Sequence, residues 1–316
     1  MLVTGASGFI GRAMLAGLHE RGARVRAIAR RVEPSDADVE WIACDLSREP
    51  DWSALLEGVD LVVHLAGQTS VREAERDPEA DARINVAPML GLLAAARRLA
   101  DPPTVLMAGT ETSAGLHRGV LDDAIVDAPL THYDAHKRLA ELALAEAVGE
   151  GRVRGASLRL TTVYGPGPRP RADDRGVIDL MITRALAGRA LSVYGSGEQQ
   201  RDFVFVDDVV AAFVAAALHV DALAGDHYVI GSGRGLAIRA AFEQIADEIE
   251  RATGMRVPVV EVPPPADASP IDARSVVADS SRFSARTSWT PRVDFDEGLR
   301  RTIASRLALT PPRARP

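Results

Sequence analysis

Of the 37 basic side chains in this 316-residue chain all but one are arginine, and the exception, Lys137, stands four residues after Tyr133. On a helix that spacing puts the two on one face. A phenol titrates at about 10, too high for easy proton exchange at neutral pH, and a neighbouring ammonium favours the phenolate and lowers that value. A compact, pKa-tuning ammonium is the one role that arginine cannot fill. Lysine can also hydrogen-bond a ribose hydroxyl of a cofactor. Upstream, Met107-Ala108-Gly109-Thr110-Glu111-Thr112 closes an apolar run, and the Thr110 hydroxyl can hold a carbonyl or alcohol oxygen. Tyr133 to exchange the proton, Lys137 to tune it and Thr110 to orient the oxygen make a hydride-transfer site, with a nicotinamide carrying the hydride. Glu111 is a candidate spare acid, sugar-hydroxyl ligand or structural hydrogen-bonder, and His136 reads as a surface helix residue.

A nicotinamide cofactor needs a phosphate cradle, and Gly5-Ala6-Ser7-Gly8-Phe9-Ile10-Gly11 supplies the pattern at the chain start. Its glycines allow a tight turn and a close approach of the pyrophosphate, and the following helix N-terminus offers N–H donors and positive potential. An acidic residue after the second strand would meet a free ribose 2′-hydroxyl. Here the strand ends Ala29-Arg30-Arg31, and Arg12 follows the third glycine, so a 2′-phosphate and NADP(H) are expected in preference to NAD(H). Asp45 is placed to meet the adenine amino group or to cap the next turn. No metal site is expected.

These residues must be carried by βαβ units, and the first half of the chain alternates short apolar runs with helical patterns. Strands are expected at Leu2–Thr4, Arg24–Ala29, Val39–Cys44, Leu61–Leu65, Thr104–Ala108 and Val153–Leu160. Helices are expected at Phe9–Arg21, Ala80–Ala100 and Tyr133–Val148. The fold class is α/β: a Rossmann doubly wound parallel sheet with a smaller C-terminal α/β substrate lobe. The expected Rossmann domain is 1–165, with a strand and helix from about 203–232. The lobe would be 166–202 and 233–310, and 311–316 a disordered tail. Helices are expected near Val177–Ala187, Asp207–His219, Ala237–Ala252 and Asp296–Leu307, with strands at Asp202–Val206 and Val257–Val262. The loop at Arg169–Arg175 is either a substrate lid or solvated.

Composition narrows the partners. The chain is 47% hydrophobic and 26% charged, as for an ordinary globular protein, and its net charge of −7 comes with no basic stripe for nucleic acid. The longest apolar stretch, Val209 to Val220, is too short to span a bilayer. Cys44 is the single cysteine and the start has no signal-peptide pattern, so a cytoplasmic protein without disulfides or membrane contact is expected.

The chain resembles an extended short-chain dehydrogenase/reductase of the NAD-dependent epimerase/dehydratase family, over nearly its whole length. The markers are Gly5/Gly8/Gly11, Asp45-Leu46, His64-Leu65-Ala66-Gly67, Asn85-Val86, Tyr133/Lys137, Leu158-Arg159, Val163 to Gly167 and Arg201 to Val209. The resemblance implies that Leu46, Leu65, Ala66, Gly67 and Asn85 join the glycine loop at the cofactor. It implies that Arg201 clamps a diphosphate and that Leu191 to Gly195, with Val193 and Tyr194, holds the base and ribose. Gln68, Thr110, Glu111, Thr112, Thr162 and Val177 complete the expected substrate set, and a homodimer through helices near Ala80–Ala100 and Tyr133–Val148 is implied as well. Two departures narrow the reaction. Where family dehydratases carry Asp-Glu after the catalytic Thr, this chain has Glu111-Thr112, which disfavours dehydration. Where the family has Asn before Val163-Tyr164-Gly165, this chain has Thr162, and Ala114-Gly115 replaces a frequent Tyr-Gly. With NADP(H) expected, the first expectation is an NADPH-dependent ketoreductase of a nucleoside-diphosphate keto-deoxysugar. The alternative is an NAD-dependent nucleoside-diphosphate-sugar epimerase, and a lesser one a non-enzymatic cofactor-binding sensor, against which Tyr133, Lys137 and Thr110 speak.

Overall fold

Parallel strands covered on both faces are mostly apolar, and Leu61–His64 and Thr104–Thr110 carry continuous apolar runs, Leu61 to Val63 and Val105 to Ala108, that end in polar residues. The computed structural model describes residues 1–31, 39–167, 176–265 and 268–308. The arginine-rich loop at 169–175 and the tail 311–316 lie outside the described residues.

The chain runs β1 (Leu2–Thr4), α1 (Phe9–His19), β2 (Val25–Ala29), β3 (Val39–Ala43), α2 (Trp52–Leu55), β4 (Leu61–His64), α3 (Val71–Arg76), α4 (Pro78–Asn85), α5 (Ala87–Ala96) and β5 (Thr104–Thr110). It continues through β6 (Arg118–Leu121), α6 (His132–Gly149), β7 (Arg154–Leu160), β8 (Thr162–Tyr164), α7 (Val177–Leu186), β9 (Leu191–Tyr194) and β10 (Gln200–Phe205). Then come α8 (Val206–Leu218), α9 (Val220–Leu223), β11 (His227–Ile230), β12 (Gly235–Ala237), α10 (Ile238–Thr253), β13 (Val259–Val262), β14 (Ser275–Ala278), α11 (Ser281–Thr287) and α12 (Phe295–Ala308).

Seven strands form one sheet in the order β11-β7-β5-β4-β1-β2-β3, every neighbouring pair parallel. The chain winds outward in both directions from β1, so the crevice at the carboxyl ends of β1 and β4 is the topological switch point where such sheets take ligands. Each face has its own core. Met14, Leu18, Val209, Phe213, Phe283 and Trp289 pack on one side. Trp52, Leu56, Met89, Leu92 and Leu144 pack on the other. A separate cluster of Ile178, Ile182, Val193, Phe203, Phe242, Ile245 and Ile303 joins α7, α10 and α12 to β9 and β10. Each such large apolar side chain contributes roughly 1.5–3 kcal/mol by leaving water.

Two expectations change. The helix expected over Ala80–Ala100 is two, broken at Val86, because Pro88 lacks an N–H and starts a new helix rather than continuing the old one. The break leaves Asn85 at the end of α4. The short pairs β14 with β6 and β13 with β9, and β8 beside β10, were only partly expected: runs of three or four residues carry too little periodicity to separate from loop.

Candidate active site

The phosphate loop is shaped by what its glycines leave out. Gly5 has φ of +66°, and a Cβ there would lie 2.8 Å from the Ala66 nitrogen. A Cβ on Gly11 would lie 2.3 Å from the Gly5 carbonyl oxygen. The turn therefore closes against β4 and against its own helix only without side chains. No side chain caps α1 at Gly8, and no carboxylate sits in its first turn. A helix N-terminus left so, behind a bare backbone loop at the switch point, fits a dinucleotide's pyrophosphate. Phe9 packs its ring against Gly167, and Ile10 is half-buried against the core.

Thr4 ties this loop to β4. Its hydroxyl accepts the N–H groups of Leu65 and Ala66, each at 3.1 Å, so its proton goes to Nδ1 of His64 at 3.0 Å. Burial, with the Lys137 charge nearby, pushes His64 down to about 3, and it is neutral. Arg30 and Arg31, expected at the adenosine ribose, are exposed. Asp45 takes the Ser47 hydroxyl at 2.7 Å and its N–H at 3.1 Å and pairs with Arg48 at 3.3 Å. The Ser47 hydroxyl bond holds its carboxyl below the usual range, with Arg48 and Arg30 adding to it. Of the two roles expected for Asp45, the turn cap is the one its bonds make. Arg12 donates Nε to the Ser7 carbonyl at 3.3 Å, and the Leu46 side chain lies in the core.

Tyr133 and Lys137, the expected proton-exchange pair, stand on α6. Thr131 and Asp134 form a reciprocal capping box that starts the helix. Tyr133 is half-buried and Lys137 buried. Burial pushes the Lys137 ammonium down to about 8, with Glu141 and Asp81 pulling the other way. Gly67 passes over it: a Cβ there would lie 4.0 Å from Lys137 Nζ and 2.8 Å from Asn85 Oδ1. Asn85 is held by Gln68, accepting its N–H at 3.2 Å and donating to its carbonyl at 3.0 Å, and donates to Asp81 at 2.9 Å. Gln68 Nε2 also reaches Asp81, at 3.0 Å. His136 belongs to this network and not to the surface: its Nδ1 lies 2.7 Å from Asp81 Oδ2. The expectation for His136 missed this because Asp81 is 55 residues away in sequence.

Thr110 ends β5, buried, with its hydroxyl 2.8 Å from that of Thr112, which donates to Asp134 at 2.5 Å. That bond fastens the β5 end to the residue next to Tyr133. Glu111 is buried and accepts from Arg274 at 3.1 Å, while its other oxygen has no hydrogen-bond partner, and burial pushes its carboxyl up. Arg201 is buried among carbonyls, donating to Gln200 at 3.0 Å, to Asp272 at 2.7 Å and to Arg274. Burial, then Arg274, pushes it down to about 10. Val193 packs in the core, so its side chain contributes packing, while Tyr194 at the strand end is 53% exposed. Thr162 lies half-buried beside Phe203 in the sheet, and Val177 half-buried at the start of α7. Asp81, Asp134 and Arg274 were not foreseen. Asp134 alone had a sequence signal, standing three residues after Thr131 ahead of the helical run.

A glycine-rich turn at the switch point of a parallel sheet, with a Tyr–Lys pair and a threonine on neighbouring elements, fits an α/β enzyme that uses a dinucleotide. The NAD dependent epimerase/dehydratase family matches residues 1–231. The chain belongs to that family and is an enzyme of the extended short-chain dehydrogenase/reductase type. It is 28% identical to a UDP-glucose 4-epimerase of Mycolicibacterium smegmatis, covering 96% of each chain. It is 29% identical to a dTDP-glucose 4,6-dehydratase of Streptomyces antibioticus, covering 96% of this chain and 91% of that one. Among solved structures, MoeE5 in complex with UDP-glucuronic acid and NAD superposes with a TM-score of 0.85 at 29% identity, covering 98% of this chain and 99% of that one. No helix among the described residues is long and apolar enough to cross a membrane, and no metal-holding cluster occurs among them.

Proposed function

We propose that the protein is an NAD-dependent epimerase that oxidises and re-reduces one carbon of a nucleoside-diphosphate sugar. The observation that carries this is the Thr112–Asp134 bond, which brings the end of β5, with Thr110, to the turn of α6 that bears Tyr133 and Lys137. Bound NAD would supply the acceptor and donor of the hydride. Tyr133 takes the sugar hydroxyl proton on oxidation and returns it on reduction. Lys137 favours the phenolate by its charge, and Thr110 holds the reacting oxygen. Epimerisation needs no net reductant.

The ketoreductase expectation rested on NADP(H). Of its residues, Arg30 and Arg31 are exposed, and Arg12 donates Nε to the Ser7 carbonyl. The relatives' names favour the epimerase, and MoeE5 was solved with NAD. Dehydration finds no carboxylate at Thr112, and one oxygen of Glu111 is bonded to Arg274. We infer further that the elements around α7, α10 and α12 form the sugar-nucleotide lobe, with Arg201 and Arg274 as the cations nearest a diphosphate.

Incubation of the NAD-loaded protein with UDP-glucose and UDP-glucuronic acid, followed by NMR of the sugar, tests the reading. Conversion of one to its epimer without accumulating NADH is expected, with at least a ~10²-fold loss in Tyr133→Phe. Oxidation of NADPH by a 4-keto-6-deoxy sugar nucleotide with no epimerisation of either sugar would reinstate the ketoreductase.

A further inference from the structure

Between Thr110 and the interior runs a file of hydroxyls that ends in a carboxylate. Thr110 Oγ1 lies 2.8 Å from Thr112 Oγ1, and Thr112 Oγ1 donates to Asp134 Oδ1 at 2.5 Å. Asp134 is fully buried, and its other oxygen accepts the Thr131 N–H at 3.3 Å. A hydroxyl has one proton to give. With Asp134 ionised, Thr112 gives its proton to Asp134, so Thr110 gives its own to Thr112. One Thr110 lone pair takes the Thr112 N–H at 3.3 Å, and the other is left for a donor in the crevice. A sugar hydroxyl bonded to Thr110 is such a donor, and every O–H along the file then points the same way, inward.

We propose that Thr110, Thr112 and Asp134 form a proton wire in which Asp134 stores the proton of the sugar hydroxyl, in parallel with Tyr133. The proposal rests on the reading of the site as a sugar-nucleotide epimerase. On oxidation the carbon gives up its hydride and the hydroxyl its proton. That proton bonds to Thr110, the Thr110 proton passes to Thr112, and the Thr112 proton to Asp134. Three O–H bonds break and three form, and the carboxylate becomes a carboxylic acid. The wire then points outward, with Thr110 donating to the ketone oxygen, as a ketone requires. Re-reduction runs the file backwards, so no proton need be exchanged with solvent. The groups acting on the carboxylate are the Thr112 and Thr131 hydroxyls, the Thr131 N–H and the Arg274 guanidinium.

The test is a double-mutant cycle on epimerisation. Thr112→Val keeps shape and breaks the file. In the otherwise native enzyme, with Tyr133 available, a loss of a few-fold is expected. In Tyr133→Phe, where the wire is the remaining path, roughly 10²-fold more is expected. Thr112→Ser restores each background. An equal factor in both backgrounds is what a purely structural Thr112 gives, and it would overturn the wire. Should Thr112→Val fail to fold, Asp134→Asn serves. Its oxygen must still accept the Thr131 N–H, so its amide points at Thr112, reverses the file and produces the same unequal losses. A native enzyme that epimerises no sugar nucleotide brings down both the wire and the functional reading. One that epimerises with equal factors brings down the wire alone.

Discussion

Lys137 shows at a single residue what the site costs the fold. Its ammonium titrates at about 8 instead of 10.5 because it is buried. A base whose folded pKa is depressed destabilises the protein fully below the folded value. Between pH 8 and 10.5 the unfolded chain holds the proton and the folded one does not, so stability rises with pH across that window. At neutral pH the penalty is about 3 kcal/mol. Lys137→Met should therefore raise stability to urea by roughly 2–3 kcal/mol at pH 7, the gain fading as the pH passes through that window, while activity falls by at least ~10²-fold. Denaturation curves at pH 7 and 10 check the sign, and a loss of stability at pH 7 would show that the ammonium is solvated or fully paired. The type and spacing of Tyr133, Lys137 and Thr110 were legible because their chemistry is carried by side-chain identity. The partners were not. Glu111 meets Arg274 across 163 residues and His136 meets Asp81 across 55, and no local pattern encodes such encounters.

Among the elements, the β1 turn and α1 are tightly constrained. Gly5→Ala must place a methyl against Ala66 at positive φ, a conformation costing L-residues about 1–2 kcal/mol before any clash. The variant should lose at least that much stability and bind NAD at least about tenfold more weakly, a factor worth about 1.4 kcal/mol. Urea titration and calorimetry measure the two, and unaltered NAD affinity would remove the loop from the cofactor site. Buried parallel strands such as β4 and β5 were readable as continuous apolar runs, whereas β6, β8 and β9 are held by partners distant in sequence. The break at Val86 was hidden because the apolar pattern runs on through it, and only Pro88 marked the boundary.

The whole molecule leaves Leu90 on α5 and Leu139 and Leu142 on α6 about half exposed. We propose that these helices pair with their copies across a two-fold axis, since such a face in water favours association. Sedimentation should give a dimer, and Leu139→Arg with Leu142→Glu a monomer. A native monomer at micromolar concentration would refute the pairing. If one site both removes and returns the same hydride, the hydrogen on the reacting carbon never meets solvent. UDP-glucose deuterated at C4, the carbon in the relatives' names, is the most direct probe of that claim. Epimeric product that keeps its deuterium in ordinary water, seen by NMR, is the expected result. Epimeric product that has lost it, or sugar left unchanged while NADPH is consumed by a ketone, would contradict it.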